Sequence, residues 1–211
     1  MHNKGIMMTA LVLTTWGVIG WGSQSLAADK STPKAVELRL AFRDLWVDHI
    51  YWVRNVALMT KLGETAAAKV AEEQTLENAQ NIANVIIPFY GKEAANNMYG
   101  LLVGHYAATK EYMNTVFNDK KEEEAAALKK MNKNAAELSA FLNSANPENW
   151  PRGALLSALI AHMGHHMDQI NAINAKDFSA EAKNWEAMMK EIVAVADTLA
   201  EGIVKQFPQE F

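Results

Sequence analysis

The stretch Ala154–Ile173, A-L-L-S-A-L-I-A-H-M-G-H-H-M-D-Q-I-N-A-I, decides the fold. Residues three and four apart share a helix face, so Leu155, Leu159, His162, His166, Gln169 and Ile173 form one inward seam. Two imidazoles therefore occupy positions where apolar core residues are expected. Met163 and Met167 are interleaved with them.

The same reading extends in both directions along the chain. A helix from Pro33 to about Leu62 carries the seam Leu38, Phe42, Leu45, His49, Trp52, Val56 and Met59. Ser31-Thr32-Pro33 marks its start, and Gly63 stops it. A second helix, about Thr65 to Ile87, turns Leu76, Ala79, Ala83 and Ile86 inward and breaks at Pro88-Phe89-Tyr90-Gly91. The third, about Lys92 to Phe117, has the seam Ala94, Met98, Leu101, His105, Ala108, Tyr112 and Thr115. The fourth opens on Glu122, Glu123 and Glu124, whose charge suits a helix N-terminus, and buries Leu128, Met131, Ala135, Leu138 and Leu142 before ending near Asn143. Asn146-Pro147-Glu148-Asn149-Trp150-Pro151 is the turn before the fifth helix, with Pro151 at its start. A sixth, from about Ser179, buries Trp185, Met188, Ile192, Val195 and Leu199 before Phe207-Pro208. No segment alternates with period two, so the expectation is an all-α, up-down antiparallel bundle of about six helices.

The histidines reveal an internal repeat. His49 and His105 are 56 residues apart, and His105 and His162 are 57 apart. Local sequences agree weakly: Leu45-Trp-Val-Asp-His49, Leu101-Leu-Val-Gly-His105 and Ala158-Leu-Ile-Ala-His162. The unit is a helical hairpin of about 56 residues repeated three times. In an up-down bundle the first, third and fifth helices run in one direction, which sets the three rings at one depth. Asn78 and Asn134 are also 56 apart, and Asn81, Glu137 and Asp197 each precede an apolar run ending in proline. These polar groups of the even helices fall within about two turns of the histidine layer.

Several buried imidazoles converging on one point need either separate hydrogen-bond partners or a shared ligand. A transition-metal ion is such a ligand. Imidazole suits copper, zinc and iron, and His49, His105 and His162 are the candidate ligands, with His166 the candidate fourth. Three histidines and an open position would be a catalytic type of zinc site. Thioethers at Met163 and Met167 would favour Cu(I), although methionines at this spacing are more simply core fillers. Asn78, Asn81, Asn134 and Glu137 are the candidates to orient the rings from behind.

Composition and motifs narrow the function classes. The chain has 211 residues, a formal net charge of -4 and no cysteine, so no disulfide and no covalent haem motif are expected. A mildly acidic surface argues against nucleic acid and anionic membranes as partners. A polar start with Lys4, an apolar segment from Ile6 to Gly22 and small residues at Ser25 and Ala27 read as a signal peptide over residues 1–28. Cleavage is expected after Ala27 or Ala28, leaving a single helical domain over 31–211 in the periplasm or secreted, with no membrane attachment. Loss of Lys4, the only formal charge in the leader, would take the net charge from -4 to -5.

No Glu-x-x-His pair of the di-iron bundles is present, and the chain is similar to hemerythrins only in His162-x-x-x-His166, with Thr109 where that family carries a carboxylate. Neither a Gly-x-Ser-x-Gly motif nor a phosphate-binding glycine loop occurs. Glu137 and Glu111 are the only general-base candidates, so a non-enzymatic role is favoured.

Leu45-Trp46-x-x-His49-x-x-Trp52-x-Arg54, Pro88-Phe89-Tyr90-Gly91, Leu101-Leu102-x-x-His105, Asn146-Pro147-x-x-Trp150-Pro151 and Lys205-Gln206-Phe207-Pro208 span most of the chain after the leader. With these the chain resembles an uncharacterised family of small exported bacterial helical-bundle proteins, sometimes loosely labelled glycosyltransferase. The resemblance implies that positions Asn81 and Ala136 are often acidic in other members. No nucleotide-binding βα unit here supports sugar transfer. Three readings follow: a metal-binding protein for carriage, storage or sensing; a structural or interaction protein whose polar layer fixes helix register; and, less favoured, a metal-dependent enzyme.

Overall fold

A computed structural model describes residues 32–211; the leader reading over residues 1–28 lies outside them. Six helices follow in order: α1 Pro33–Leu62, α2 Thr65–Val85, α3 Ile87–Phe117, α4 Lys121–Ala145, α5 Arg152–Ala175 and α6 Phe178–Gln206, then a short 3-10 turn at Pro208–Glu210. There is no strand among the described residues. The all-helical expectation therefore holds, and its punctuation has identifiable causes. Thr32 caps α1 by accepting the Ala35 N–H at 3.3 Å, with Pro33 in the first turn. Gly63, at φ 80, closes the same helix in a conformation that costs glycine nothing.

The expected break at Pro88 takes a different form. Ile87–Tyr90 makes one helical turn that Pro88 can join without losing a needed N–H, and the interruption falls on Gly91, at φ 82 and ψ 171. The continuous part of α3 starts after it, as expected.

The helices pack as three hairpins, α1 on α2, α3 on α4 and α5 on α6, joined by α2 against α3, α4 against α5 and α6 against α1. Helices α1, α3 and α5 also touch one another. The odd helices thus line an interior, each backed by an even one. Two bidentate ion pairs fasten α1 to α6: Arg43 to Asp197, both contacts 2.6 Å, and Arg54 to Glu181, at 2.6 and 2.9 Å. The turn before α5 is anchored to α6 as well. Trp150 is buried and donates its indole N–H to the Thr198 carbonyl, and Asn146 donates to the Gly202 carbonyl at 2.8 Å. Gly202 must lack a side chain, because a Cβ there would overlap the Trp150 indole.

A helix touched on several sides buries more than one stripe. On α1 the buried set is Ala35, Phe42, Trp46, His49, Ile50, Val53, Val56 and Ala57, while Leu45 and Trp52 of the expected seam are only partly covered. No helix among the described residues is long and apolar enough to cross a membrane.

Candidate metal centre

The three odd helices bring His49, His105 and His162 to one point, and α5 adds His166 one turn further on. All four are buried, between 1% and 4% exposed. One ring nitrogen from each lies within 4.8 Å of those of the other three. Ring centroids are 6.0 Å apart for His49 and His105, 5.8 Å for His49 and His162, and 5.7 Å for His105 and His162, a nearly equilateral triangle. His166 stands 4.6 Å from His162, 6.0 Å from His49 and 6.3 Å from His105. The common depth inferred from the repeat is realised in space.

Hydrogen bonds fix two of the rings. Asn134 donates its amide to the Leu101 carbonyl at 2.9 Å, which leaves its Oδ1 to accept the His105 Nδ1–H at 3.1 Å. His105 Nε2 then carries a bare lone pair, buried and without a partner. His162 donates Nδ1–H to Glu191 Oε2 at 3.2 Å, so its Nε2 is an acceptor toward His166 Nε2 at 3.1 Å. His166 Nδ1 has no partner, nor has either nitrogen of His49.

His49, His105 and His166 are neutral at pH 7. Burial, and then the neighbouring His162, hold His105 down to about 4, against a smaller upward effect of the Asn134 bond. Burial pushes His49 and His166 well below the ordinary histidine range, reinforced by the other rings. A neutral imidazole is the form that can give a lone pair to a metal.

The residues behind the rings follow the repeat. Asn78 donates to the Leu45 carbonyl at 2.9 Å as Asn134 does to Leu101, each carbonyl lying four residues before its helix's histidine. The Asn78 Oδ1 is buried with no partner. Asn81 and Glu137 are exposed, and Glu137 pairs with Lys133 at 3.4 Å. Each sits three residues beyond the asparagine that faces inward, about 60° short of a full rotation, and so turns to solvent. Glu111 pairs with Lys130 at the surface. His165 turns toward α6, giving its Nδ1–H to Asn184 Oδ1 at 2.9 Å. Met163 belongs to the apolar core and Met167 packs against it.

Glu191 is the residue that sequence reasoning missed. It lies 29 positions after His162, the separation that also links Asn134 to His105. The same offset from His49 leads to Asn78, so the signal was present in the histidine spacing.

Compared with protein-family models, curated proteins and solved structures, the chain matches none. Its function must therefore be argued from this site. A metal bound to imidazole at about 2.0–2.1 Å in a tetrahedron needs nitrogens roughly 3.3 Å apart. The group's 4.8 Å limit and the 3.1 Å contact of His162 with His166 bracket that value. The donor set suits copper, zinc or iron, and contains no thiolate.

Proposed function

We propose that this chain is an exported protein that binds one transition-metal ion through His49, His105, His162 and His166, for carriage, storage or sensing. The observation that carries this reading is the set of buried ring nitrogens with no partner: both of His49, Nε2 of His105 and Nδ1 of His166. A polar core kept only for register would satisfy its members, since each unpaired buried polar group costs about 1–3 kcal/mol. Here Asn78 and Asn134 tie α1 and α3 to their even neighbours through backbone carbonyls, and the ring nitrogens are left over. Four gathered imidazoles also favour retention of an ion over catalysis, because catalytic sites typically keep three protein ligands and an open position. Export rests on the leader-like residues 1–28.

The test is elemental analysis of protein recovered from the periplasm, followed by thermal melting of metal-free protein with copper, zinc or iron added. A ligand specific to the folded form at 100 times its dissociation constant adds about 2.7 kcal/mol. One ion should raise the midpoint by several degrees, and His105→Ala should abolish the rise. Absence of any metal and of any shift would leave the helical scaffold without this function.

A further inference from the structure

The shape and the charge of the histidine cluster together restrict which ion it suits. The six centroid separations among the four rings run from 4.6 to 6.3 Å. In a square arrangement two of the six would be diagonals about 1.4 times the sides, the pattern that Cu(II) and Ni(II) favour. Instead the triangle of His49, His105 and His162 is nearly equilateral, His166 stands 4.6, 6.0 and 6.3 Å from its corners, and no opposite pair of separations stands out as diagonals. The ring centres thus make a distorted tetrahedron, the arrangement that suits a d10 ion. Zn(II) and Cu(I) both meet it.

Charge separates those two. An imidazole that gives its ring lone pair to an ion is a neutral ligand, so four of them contribute no charge. Among the described residues Glu191 is the one carboxylate bonded to any of them, and its Oε1 is buried with no partner there. Glu181, the one acidic residue buried as a whole among the described residues, is held by Gln169 at 3.2 Å and is neutralised by bidentate Arg54. Behind His105 and in the equivalent place behind His49 stand uncharged asparagines. The site thus offers a single negative charge. A divalent ion surrounded by four imidazoles would leave one positive charge uncompensated in a buried place, with no ligand position free for a hydroxide; a monovalent ion leaves none.

We propose that the cluster selects Cu(I) over Zn(II), with Glu191 as the counter-charge. This rests on the metal-binding reading above, and the test keeps the two apart. Metal-free full-length mature protein is titrated anaerobically with Cu(I) against a Cu(I)-specific chelator, and separately with Zn(II) against a zinc chelator. The expected result is one equivalent of Cu(I) bound at least 100-fold more tightly than Zn(II). Tighter binding of Zn(II), or of Cu(II) in air, overturns the selection while leaving a metal-binding protein; no binding of either ion overturns both.

Two substitutions address the cause. Asn134→Asp adds a second carboxylate at a ring nitrogen that is already hydrogen-bonded, and should narrow the Cu(I) preference at least tenfold. Glu191→Gln keeps the shape, removes the charge, and should weaken Zn(II) more than Cu(I). A ratio that neither substitution moves would mean that charge does not set the choice. If Asn134→Asp fails to fold, Glu191→Gln alone decides.

Discussion

Glu191 accepts the Nδ1 proton of His162 at 3.2 Å, across the same 29-residue separation at which Asn134 accepts that of His105 at 3.1 Å. The repeat that sets the rings at one height therefore also supplies the groups that orient them. A His–acceptor pair two helices wide is built twice in full. In the first hairpin it is present as residues but not as a bond, since His49 Nδ1 and Asn78 Oδ1 are both unpartnered.

This incomplete pair predicts a role for Asn78. With an ion on His49 Nε2, the ring's Nδ1–H has Asn78 Oδ1 as its repeat-related acceptor. Asn78→Ala should weaken metal binding about 10–100-fold, the usual effect of losing an outer partner of a histidine ligand. Isothermal titration measures it, and unchanged affinity would show that His49 does not follow the other two hairpins.

Replacing His49 by leucine should have opposite effects on stability and on binding. Both of its ring nitrogens are buried without partners, so an apolar side chain removes a penalty of about 1–3 kcal/mol in the metal-free protein. The midpoint should rise by about 2–4 °C per kcal/mol for a chain of this size, while the metal-induced shift disappears. A lower metal-free midpoint would mark His49 as a structural residue.

Metal-free protein should lose stability as the solution is acidified. The folded-state pKa of His105 is lowered to about 4, whereas in the unfolded chain it takes up a proton near 6.5. Between those values the unfolded state binds more protons, so unfolding free energy falls with pH through this window. His105 alone contributes a loss of about 2 kcal/mol by pH 5 and about 3 below pH 4, and the lowered His49 and His166 act in the same direction. Urea midpoints of the metal-free protein at pH 7.5, 6 and 5 read the effect, and a flat profile contradicts it.

The fastening of α1 to α6 gives a prediction away from the rings. Glu181 is buried, and Arg54 holds its carboxyl below the usual range through two hydrogen bonds, while the guanidinium also lies 5.1 Å from the Trp185 ring centre. Arg54→Met strands that carboxylate and should cost about 3 kcal/mol at pH 7. The double substitution Arg54→Met with Glu181→Leu should recover most of it, as read by denaturant midpoints.

Much of this architecture was legible because its signals are local. Pro33, Gly63, Pro88-Gly91 and Pro151 punctuate the helices by backbone chemistry that needs no tertiary context, and the histidine spacing gave the repeat. What was not legible depended on which way an even helix is rotated. Asn81, Glu137 and Asp197 were aligned by their distance to a following proline, a property of the helix end. The inward face is instead set by distance from the histidine it backs, which selects Asn78, Asn134 and Glu191. Asp197 meets Arg43 on the flank between α1 and α6. Similarly, a single heptad-like seam could not anticipate Trp46 and Ile50, which are buried because α1 has neighbours on several sides.

The four rings are donated by the first, third and fifth helices of the described chain, and each is sealed from bulk water. An ion held there could neither arrive before the circuit of helices had closed nor depart without some helix swinging aside. Exchange would be timed by the breathing of the scaffold rather than by the strength of the nitrogen bonds, so occupancy would persist long after free metal outside had fallen.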